Sequence, residues 1–333
     1  TVALGFLKAD TIAYSDIAAD IQLATGEKIS AQAISDKVKK SEAMFKTLVA
    51  TAIARSKSLP TTERFKIAGV ADILVGDAST IALRNSLQTI FPGTGGNGPK
   101  ASVKLHGLFN LTTSQMPYLA LTEGTRSDQT TKEDHIAISK EGDLLTRDLG
   151  YFELDDLQKL KNNRRFFISR IPLKIRHFAE SSGEPLDIWD VLASTKGYLF
   201  ERTLMLGEEN FLTRVIALRL PRKKWRTRLK ELRKEKGRQL TRREETQTKW
   251  NLLTTNLSTE QASAETIQKL YELRWQIELL WKALKTSLGI DSLRAASCEN
   301  IVRAFIWAKL LCAVILLTAR GLLSKNTKRE IGL

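Results

Sequence analysis

The segment Ala71-Asp-Ile-Leu-Val-Gly-Asp77 is an apolar run that ends on a carboxylate, and it predicts a buried strand with an acidic side chain at its end. After a turn-rich loop, residues 102–111 and 117–122 alternate between apolar and polar side chains, which predicts two antiparallel strands. The segment Asp143-Leu-Leu-Thr-Arg-Asp148 predicts a fourth, short strand that again ends on a carboxylate. These strands are the framework of the expected fold.

A further strand is expected over residues 165–171, and the sheet is expected to resume over 251–256. An RNase H-like core with an insertion typically has this order of elements: three strands, a strand that ends on a carboxylate, an inserted segment, and a further strand of the same sheet. The expected class is therefore α/β: an RNase H-like mixed-sheet catalytic core, an inserted β-rich domain and a helical N-terminal segment. The expected division is a helical N-terminal segment (1–60), a first part of the core (61–171), a β-rich basic insertion (172–250), and a second part of the core (251–333) with the catalytic helix and a C-terminal helix.

The first 58 or so residues have apolar side chains at helical spacing, with Thr25-Gly26 as a stop signal and Ser30 as an N-cap. Two interpretations stay open for this segment. An ordinary helical bundle is favoured, and a helix-turn-helix DNA reader is the alternative. Because the chain begins at Thr1 and shows no signal-peptide pattern, we expect a fragment whose start lies upstream.

The charge of the chain indicates its class of partner. Its 333 residues include 52 Lys or Arg and 37 Asp or Glu, a net charge of +15, which favours nucleic acid or an anionic membrane surface. The apolar stretch 301–323 is interrupted by basic residues, and its uncharged part is too short for a bilayer core of about 30 Å, so it predicts a buried helix. Two cysteines exclude a disulfide framework and a zinc cluster, which indicates a reducing compartment.

The positive charge is concentrated in one segment. Residues 221–244 contain twelve Lys or Arg and three acidic residues, a net charge of +9 and more than half of the total. The simplest interpretation of such a run is a solvated, partly helical face, and a polyanion-binding surface is the alternative.

One long helix is predicted from about residue 264 to 287, and it contains Tyr271-Glu-Leu-Arg-Trp-Gln-Ile-Glu-Leu-Leu-Trp-Lys-Ala-Leu-Lys285. On a helical wheel, the apolar residues of this segment lie beside a stripe of polar residues. A carboxylate at the edge of the core, flanked by basic residues, suits metal binding beside phosphate. A solvated face with an Arg274–Glu278 ion pair is the alternative. Four side chains fall within about 60° of arc, namely Tyr271, Arg274, Glu278 and Lys285.

The order Tyr-x2-Arg-x3-Glu-x6-Lys in this helix resembles the signature of bacterial insertion-sequence transposases of the DDE type, in the family of insertion sequence four. Asp148-Leu-Gly-Tyr-Phe resembles the second-aspartate motif of that family. Gly76-Asp77-Ala-Ser-Thr resembles its first. The resemblance extends over roughly residues 64 to 320, which is most of this chain.

Phosphodiester cleavage and strand transfer use two Mg²⁺ ions roughly 4 Å apart, and Mg²⁺ prefers hard oxygen ligands. The resemblance implies that Asp77, Asp148 and Glu278 are the catalytic carboxylates and bind both ions, with Mn²⁺ expected to substitute. For Asp148 alone, the competing interpretation is a helix N-cap or turn residue. Asp143 is the neighbouring candidate, and the motif favours Asp148.

The resemblance also implies DNA contacts. Tyr271, Arg274 and Lys285 are expected to hold phosphates of the transposon end next to the cut. The basic segment is expected to bind DNA by charge, so that binding weakens strongly as salt rises. For Trp225 and Trp250, packing in the core is favoured over stacking on a displaced base. The basic residues expected to contact DNA are Arg222, Lys223, Lys224 and Arg226.

The implied activity is that of a DNA transposase that cleaves transposon ends and joins a 3′-hydroxyl to target DNA. The implied partners are double-stranded DNA, as terminal inverted repeats and target, and a second copy in a synaptic homodimer, with no membrane partner. The implied location is the bacterial cytoplasm, at the nucleoid. The alternatives are a catalytically inactive DNA-binding relative and an RNase H-like structure-selective nuclease.

Overall fold

Nine strands form one mixed sheet within the residues that the computed structural model describes, which are 13–56, 67–291, 293 and 298–327. The strand order is β3-β2-β1-β4-β5-β9-β8-β7-β6. The strands are β1 (Ile73–Ala82), β2 (Ser102–Asn110), β3 (Gln115–Glu123), β4 (Leu144–Arg147), β5 (Phe166–Arg170), β6 (Phe178–Glu180), β7 (Leu199–Leu206), β8 (Phe211–Arg219) and β9 (Trp250–Thr255).

The directions of the strands make the sheet mixed. β4 and β5 are parallel, with Leu145 opposite Phe167. β2–β3, β5–β9, β8–β9, β7–β8 and β6–β7 are antiparallel pairs. The predicted α/β class is therefore confirmed, and each of the strands expected from the sequence is present.

Helices account for much of the remaining described chain. They are α1 (Tyr14–Thr25), α2 (Ala31–Lys39), α3 (Glu42–Ser56), α4 (Lys132–Ile138), α5 (Leu154–Asn162), α6 (Ile188–Ser194), α7 (Arg222–Lys236), α8 (Arg242–Lys249), α9 (Ala264–Glu272), α10 (Trp275–Leu288) and α11 (Glu299–Thr327). The described chain divides into two units. The first unit takes residues up to 56, 75–138 and those from 275 on, and the second takes 67–74 and 139–274.

The first unit contains the N-terminal helices and the apolar helix α11. α1 ends at Gly26, whose φ of 76° is the left-handed value that favours glycine. α2 begins after Ser30, whose hydroxyl accepts a hydrogen bond from the amide of Ala33 at 3.1 Å, so both predicted signals are confirmed. The segment Glu299–Ala319 is long and apolar enough to cross a membrane, but 72% of its apolar window is buried, as expected for a core helix. α11 packs against α3.

The second unit has its apolar core around β7, β8 and β9. Trp189 of α6, Val215 of β8 and Trp250 of β9 are members of one buried cluster. Residues 172–250 supply three strands, β6 to β8, and three helices, α6 to α8. β8 pairs along the length of β9, so these strands continue the sheet.

Two local expectations differ from the structure. β1 does not end at Asp77 but continues to Ala82, because Ile81 is fully buried and extends the apolar face of the strand. The single helix expected over 264–287 is two helices, α9 and α10, although neither glycine nor proline stands at the break. The amide of Arg274 donates to the carbonyl of Tyr271 at 3.1 Å, and this i to i−3 bond tightens the chain and ends α9.

Candidate active site

Asp148 lies immediately after β4, at the start of a single 3₁₀ turn over Leu149–Tyr151. Its carbonyl accepts a hydrogen bond from the amide of Tyr151 at 3.0 Å, but its side chain makes no capping hydrogen bond. The carboxylate is 50% exposed, and Arg274 places Nη2 at 3.9 Å from Oδ1. The N-cap interpretation therefore does not account for this carboxylate, which stays available to a ligand.

A buried ion pair lies next to this turn. Arg147, the last residue of β4, places Nη2 at 3.6 Å from Oδ2 of Asp156 on α5, and both side chains are almost fully buried. The Arg147 guanidinium also lies over the Tyr151 ring, with Cζ at 5.5 Å from the centroid. These contacts connect the residues on both sides of Asp148 to α5, which favours one conformation of the turn.

Asp143 has a different environment. It is buried, and its Oδ2 accepts a hydrogen bond from the amide of Lys140 at 2.8 Å. Burial raises the pKa of this carboxyl group from 3.8 to about 6. This carboxyl group serves a local turn, which supports the preference for Asp148 as the ligand.

Tyr271 and Arg274 belong to the same unit as Asp148. Burial raises the pKa of the Tyr271 hydroxyl, and the charge of Asp148 raises it further. The charges of Arg274 and Arg170 act in the opposite direction, and Arg274 hydrogen-bonds the hydroxyl. A tyrosine, two arginines and a carboxylate thus lie within electrostatic range of one another at the end of α9.

Asp77 and Glu278 belong to the first unit. Asp77 is half-buried within β1, and Glu278 is half-buried in the first turn of α10. Lys285, seven residues beyond Glu278, donates from Nζ to the carbonyl of Thr80 on β1 at 3.0 Å. The sequence predicted that the four polar residues form one stripe on a single helix. This prediction is wrong, because the break at Arg274 separates Tyr271 on α9 from Glu278 and Lys285 on α10.

α10 is also packed closely on β2. A Cβ atom at Gly107 would lie 2.6 Å from Cη2 of Trp281 and 3.1 Å from Cε of Met116. Trp281 follows Glu278 by three residues, so this contact and the Lys285 hydrogen bond together hold the helix that carries the carboxylate. The sequence alone gave no sign of a role for Gly107.

Most of the basic segment forms α7, in which no residue is buried, and its last residues begin α8. Trp225 is half-buried, and Nζ of Lys249 lies 5.7 Å from its ring centroid. Trp250 is buried in the core beneath Arg219, as the favoured interpretation expected. The four basic residues expected to contact DNA are all exposed, namely Arg222, Lys223, Lys224 and Arg226.

A family model described as "Transposase DDE domain" matches residues 68–315. The chain belongs to the transposase DDE domain family. It is 26% identical to the transposase for insertion sequence element IS231F of Bacillus thuringiensis subsp. israelensis, over 78% of this chain and 59% of that protein. It is 25% identical to the transposase for IS231C of Bacillus thuringiensis subsp. berliner, over 95% of this chain and 71% of that protein. The resemblance to DDE-type insertion-sequence transposases is thereby confirmed.

The chain spans only 59% of the length of the IS231F relative. Among solved structures, the cryo-EM structure of the piggyBac transposase synaptic complex with hairpin DNA matches with a TM-score of 0.46 and 10% identity. That match covers 99% of this chain and 76% of the other. At this TM-score the likeness does not establish a shared fold.

Membership of this family implies the use of a divalent metal ion. Asp77, Asp148 and Glu278 offer carboxylate oxygens, which are the donors that Mg²⁺ and Mn²⁺ accept, so the donor types fit. Within the described ranges, no three His, Cys, Asp or Glu side chains are already gathered into a metal-binding group. The assignment of the metal to these three residues therefore rests on residue type and motif, supported by the available carboxylate of Asp148.

Proposed function

We propose that the chain is the catalytic part of a DNA transposase that cleaves transposon ends and joins the freed 3′-hydroxyl to target DNA. The observation that carries the proposal is the side chain of Asp148, which is half-exposed, uses no capping hydrogen bond and lies 3.9 Å from Arg274. Membership of the transposase DDE domain family supports it. A guanidinium beside a carboxylate supports this proposal, because guanidinium groups bind phosphate well.

In this proposal Asp77, Asp148 and Glu278 hold two divalent ions, with Mg²⁺ as the natural metal and Mn²⁺ as a substitute. When bound, the ions would supply activation of the attacking oxygen and stabilisation of the leaving oxygen. Arg274 would hold a phosphate by its planar fork, and Tyr271, hydrogen-bonded to Arg274, would orient that fork. Lys285 would contribute a point charge in addition to its hydrogen bond to Thr80.

The fold proposal is an RNase H-like core with an insertion. The strand order β3-β2-β1-β4-β5 and the short parallel pair β4–β5 support it, since they follow the expected meander and carboxylate-ended strand. The proposed domains remain 1–60, 61–171, 172–250 and 251–333. The proposed assembly is a homodimer on two transposon ends in the bacterial cytoplasm, at the nucleoid and without a membrane partner.

Nicking of supercoiled plasmid in Mg²⁺ or Mn²⁺ tests the catalytic assignment. We expect Asp148→Asn to reduce the nicking rate by at least about a hundredfold, since the metal supplies several kcal/mol to such reactions. DNA binding, measured by fluorescence anisotropy with a short duplex, should be retained. Asp143→Asn is the matched control, because it changes a carboxylate five residues away that serves a local turn.

Three outcomes separate the alternatives. Equal nicking by wild type and Asp148→Asn contradicts the catalytic assignment. DNA binding without any nicking by the wild type indicates the inactive DNA-binding relative. Nicking without joining of a 3′-hydroxyl end to a target plasmid indicates the structure-selective nuclease.

A further inference from the structure

The buried ion pair next to the turn at Asp148 is not used by the proposed function. Nη2 of Arg147 lies 3.6 Å from Oδ2 of Asp156, and the two side chains are 6% and 0% exposed. Nζ of Lys159, three residues later on α5, lies 3.9 Å from the other oxygen, Oδ1. The Asp156 carboxylate therefore lies between two cations inside the second unit.

The surroundings of this pair are mostly apolar. α5 packs on β5, and Leu157, Leu160 and Phe167 of these two elements are buried. Moving two charges out of water costs free energy that their mutual attraction often fails to return, and apolar side chains of similar volume often give equal or greater stability. Folding stability alone therefore does not explain an arginine and an aspartate at these positions.

The position of the pair indicates what it does. Arg147 directly precedes Asp148 and ends β4. Its guanidinium lies over the Tyr151 ring, with Cζ 5.5 Å from the centroid, and the amide of Tyr151 donates to the Asp148 carbonyl at 3.0 Å. Arg147, Asp148 and Tyr151 also line one small cavity. The ion pair thus holds the chain on both sides of Asp148.

The direction of the Asp148 carboxylate depends on its backbone, because the side chain makes no capping hydrogen bond and is 50% exposed. Metal affinity is sensitive to how each ligand is held, and loss of a group that orients a ligand typically costs about 10–100-fold in affinity or activity. A group that fixes the backbone on both sides of Asp148 would therefore orient a metal ligand.

We propose that Asp156 is a positioning residue of the active site, which holds the Asp148 carboxylate in its metal-binding direction through Arg147 and Tyr151. The inference rests on the proposed function, because it takes Asp148 to be a metal ligand. Asp156 is fully buried, so it acts through these two residues and contacts neither the metal nor the DNA. An apolar pair would hold the fold, but it would not hold a guanidinium over the Tyr151 ring.

The test compares two variants with the wild type. Asp156→Asn keeps the size of the side chain and removes its charge, and the double variant Arg147→Met with Asp156→Leu removes the pair. In urea unfolding we expect Asp156→Asn to be destabilised, because the buried Arg147 loses its carboxylate, and the double variant to recover stability. Asp155→Asn is the matched control, because Asp155 precedes Asp156 in the first turn of α5 and is exposed.

The dependence of plasmid nicking on Mn²⁺ concentration distinguishes positioning from folding. We expect both variants to need about tenfold more Mn²⁺ for half-maximal nicking, with a smaller loss of rate at saturating Mn²⁺. Hydrogen exchange of the Tyr151 amide, measured without metal, should be faster in both variants, because its hydrogen bond to the Asp148 carbonyl opens more often. Asp155→Asn should match the wild type in both measurements.

The double variant decides between the two roles. If it recovers the wild-type Mn²⁺ dependence together with stability, the pair serves folding alone and the inference is overturned. Wild-type Mn²⁺ dependence of Asp156→Asn, or an equal shift in Asp155→Asn, also overturns it. If Asp156→Asn does not fold, the double variant gives the answer by itself.

Failure of the proposed function has a different result. It would appear as equal nicking by wild type and Asp148→Asn. A normal Mn²⁺ dependence of Asp156→Asn, beside an inactive Asp148→Asn, rejects only the positioning role of Asp156.

Discussion

Replacement of Gly107 by alanine should displace the helix that carries Glu278 without touching a charged residue. The added Cβ would lie 2.6 Å from Cη2 and 2.7 Å from Cζ2 of Trp281. Carbon atoms prefer separations of about 3.5–4.0 Å, so the contact is short by about 1 Å. Gly107 is held by its pairing in β2, and the buried Trp281 ring has no room to turn away, so the backbone of α10 must move.

Overpacking of this kind costs about 1–3 kcal/mol of folding stability. A shift of about 1 Å at a reacting group can cost about a hundredfold in rate. Trp281 is three residues beyond Glu278, or about 4.5 Å along the helix axis, so the carboxylate cannot avoid the shift. We therefore expect Gly107→Ala to reduce plasmid nicking far more than its loss of stability explains.

The assay compares urea unfolding and plasmid nicking for wild type, Gly107→Ala, Trp281→Phe and the double variant. Trp281→Phe removes the ring atoms that would meet the new Cβ, and the indole Nε1 has no hydrogen-bond partner among the described residues. The double variant should recover activity relative to Gly107→Ala. Wild-type nicking by Gly107→Ala, or no recovery in the double variant, would refute the argument that this contact positions Glu278.

Two further predictions concern pH and salt. Burial lowers the pKa of His106 from 6.5 to about 4, so the folded protein resists a proton that the unfolded chain accepts. The contribution of this histidine to the free energy of unfolding should be fully present above pH 6.5, and about 3 kcal/mol of it should be lost as the pH falls toward 4. Urea unfolding of wild type and His106→Asn measures this loss. Equal pH slopes for the two proteins would contradict the prediction. Separately, glutamine at the four exposed basic positions of α7 should lower the slope of log affinity against log salt by up to about 3.6, because each phosphate contact contributes about 0.9. An unchanged slope would make this face of the helix a solvated surface. The four positions are Arg222, Lys223, Lys224 and Arg226.

Much of the fold could be predicted from local patterns. The alternation in β2 and the short apolar run of β4 follow from side chains that point to opposite faces of a strand. Gly26 and Ser30 mark the end of α1 and the start of α2, because each residue type satisfies a backbone requirement at that point. The residue order around Arg274 and Glu278 was enough to indicate the family that the domain match then established.

Other features depended on contacts between distant parts of the chain. The break before α10 has no local signal, because neither glycine nor proline stands there. The close approach of Trp281 to Gly107 brings together residues far apart in sequence.

Periodicity and capping act over a few neighbouring residues, so local patterns predicted most of the strands and helices and indicated the candidate carboxylates. Contacts in space were needed to show that Asp148 makes no capping hydrogen bond while Asp143 is buried, and that Trp281 lies against Gly107. Burial, electrostatic repulsion and steric contact depend on the distance between atoms in space, and the folded path of the chain sets that distance.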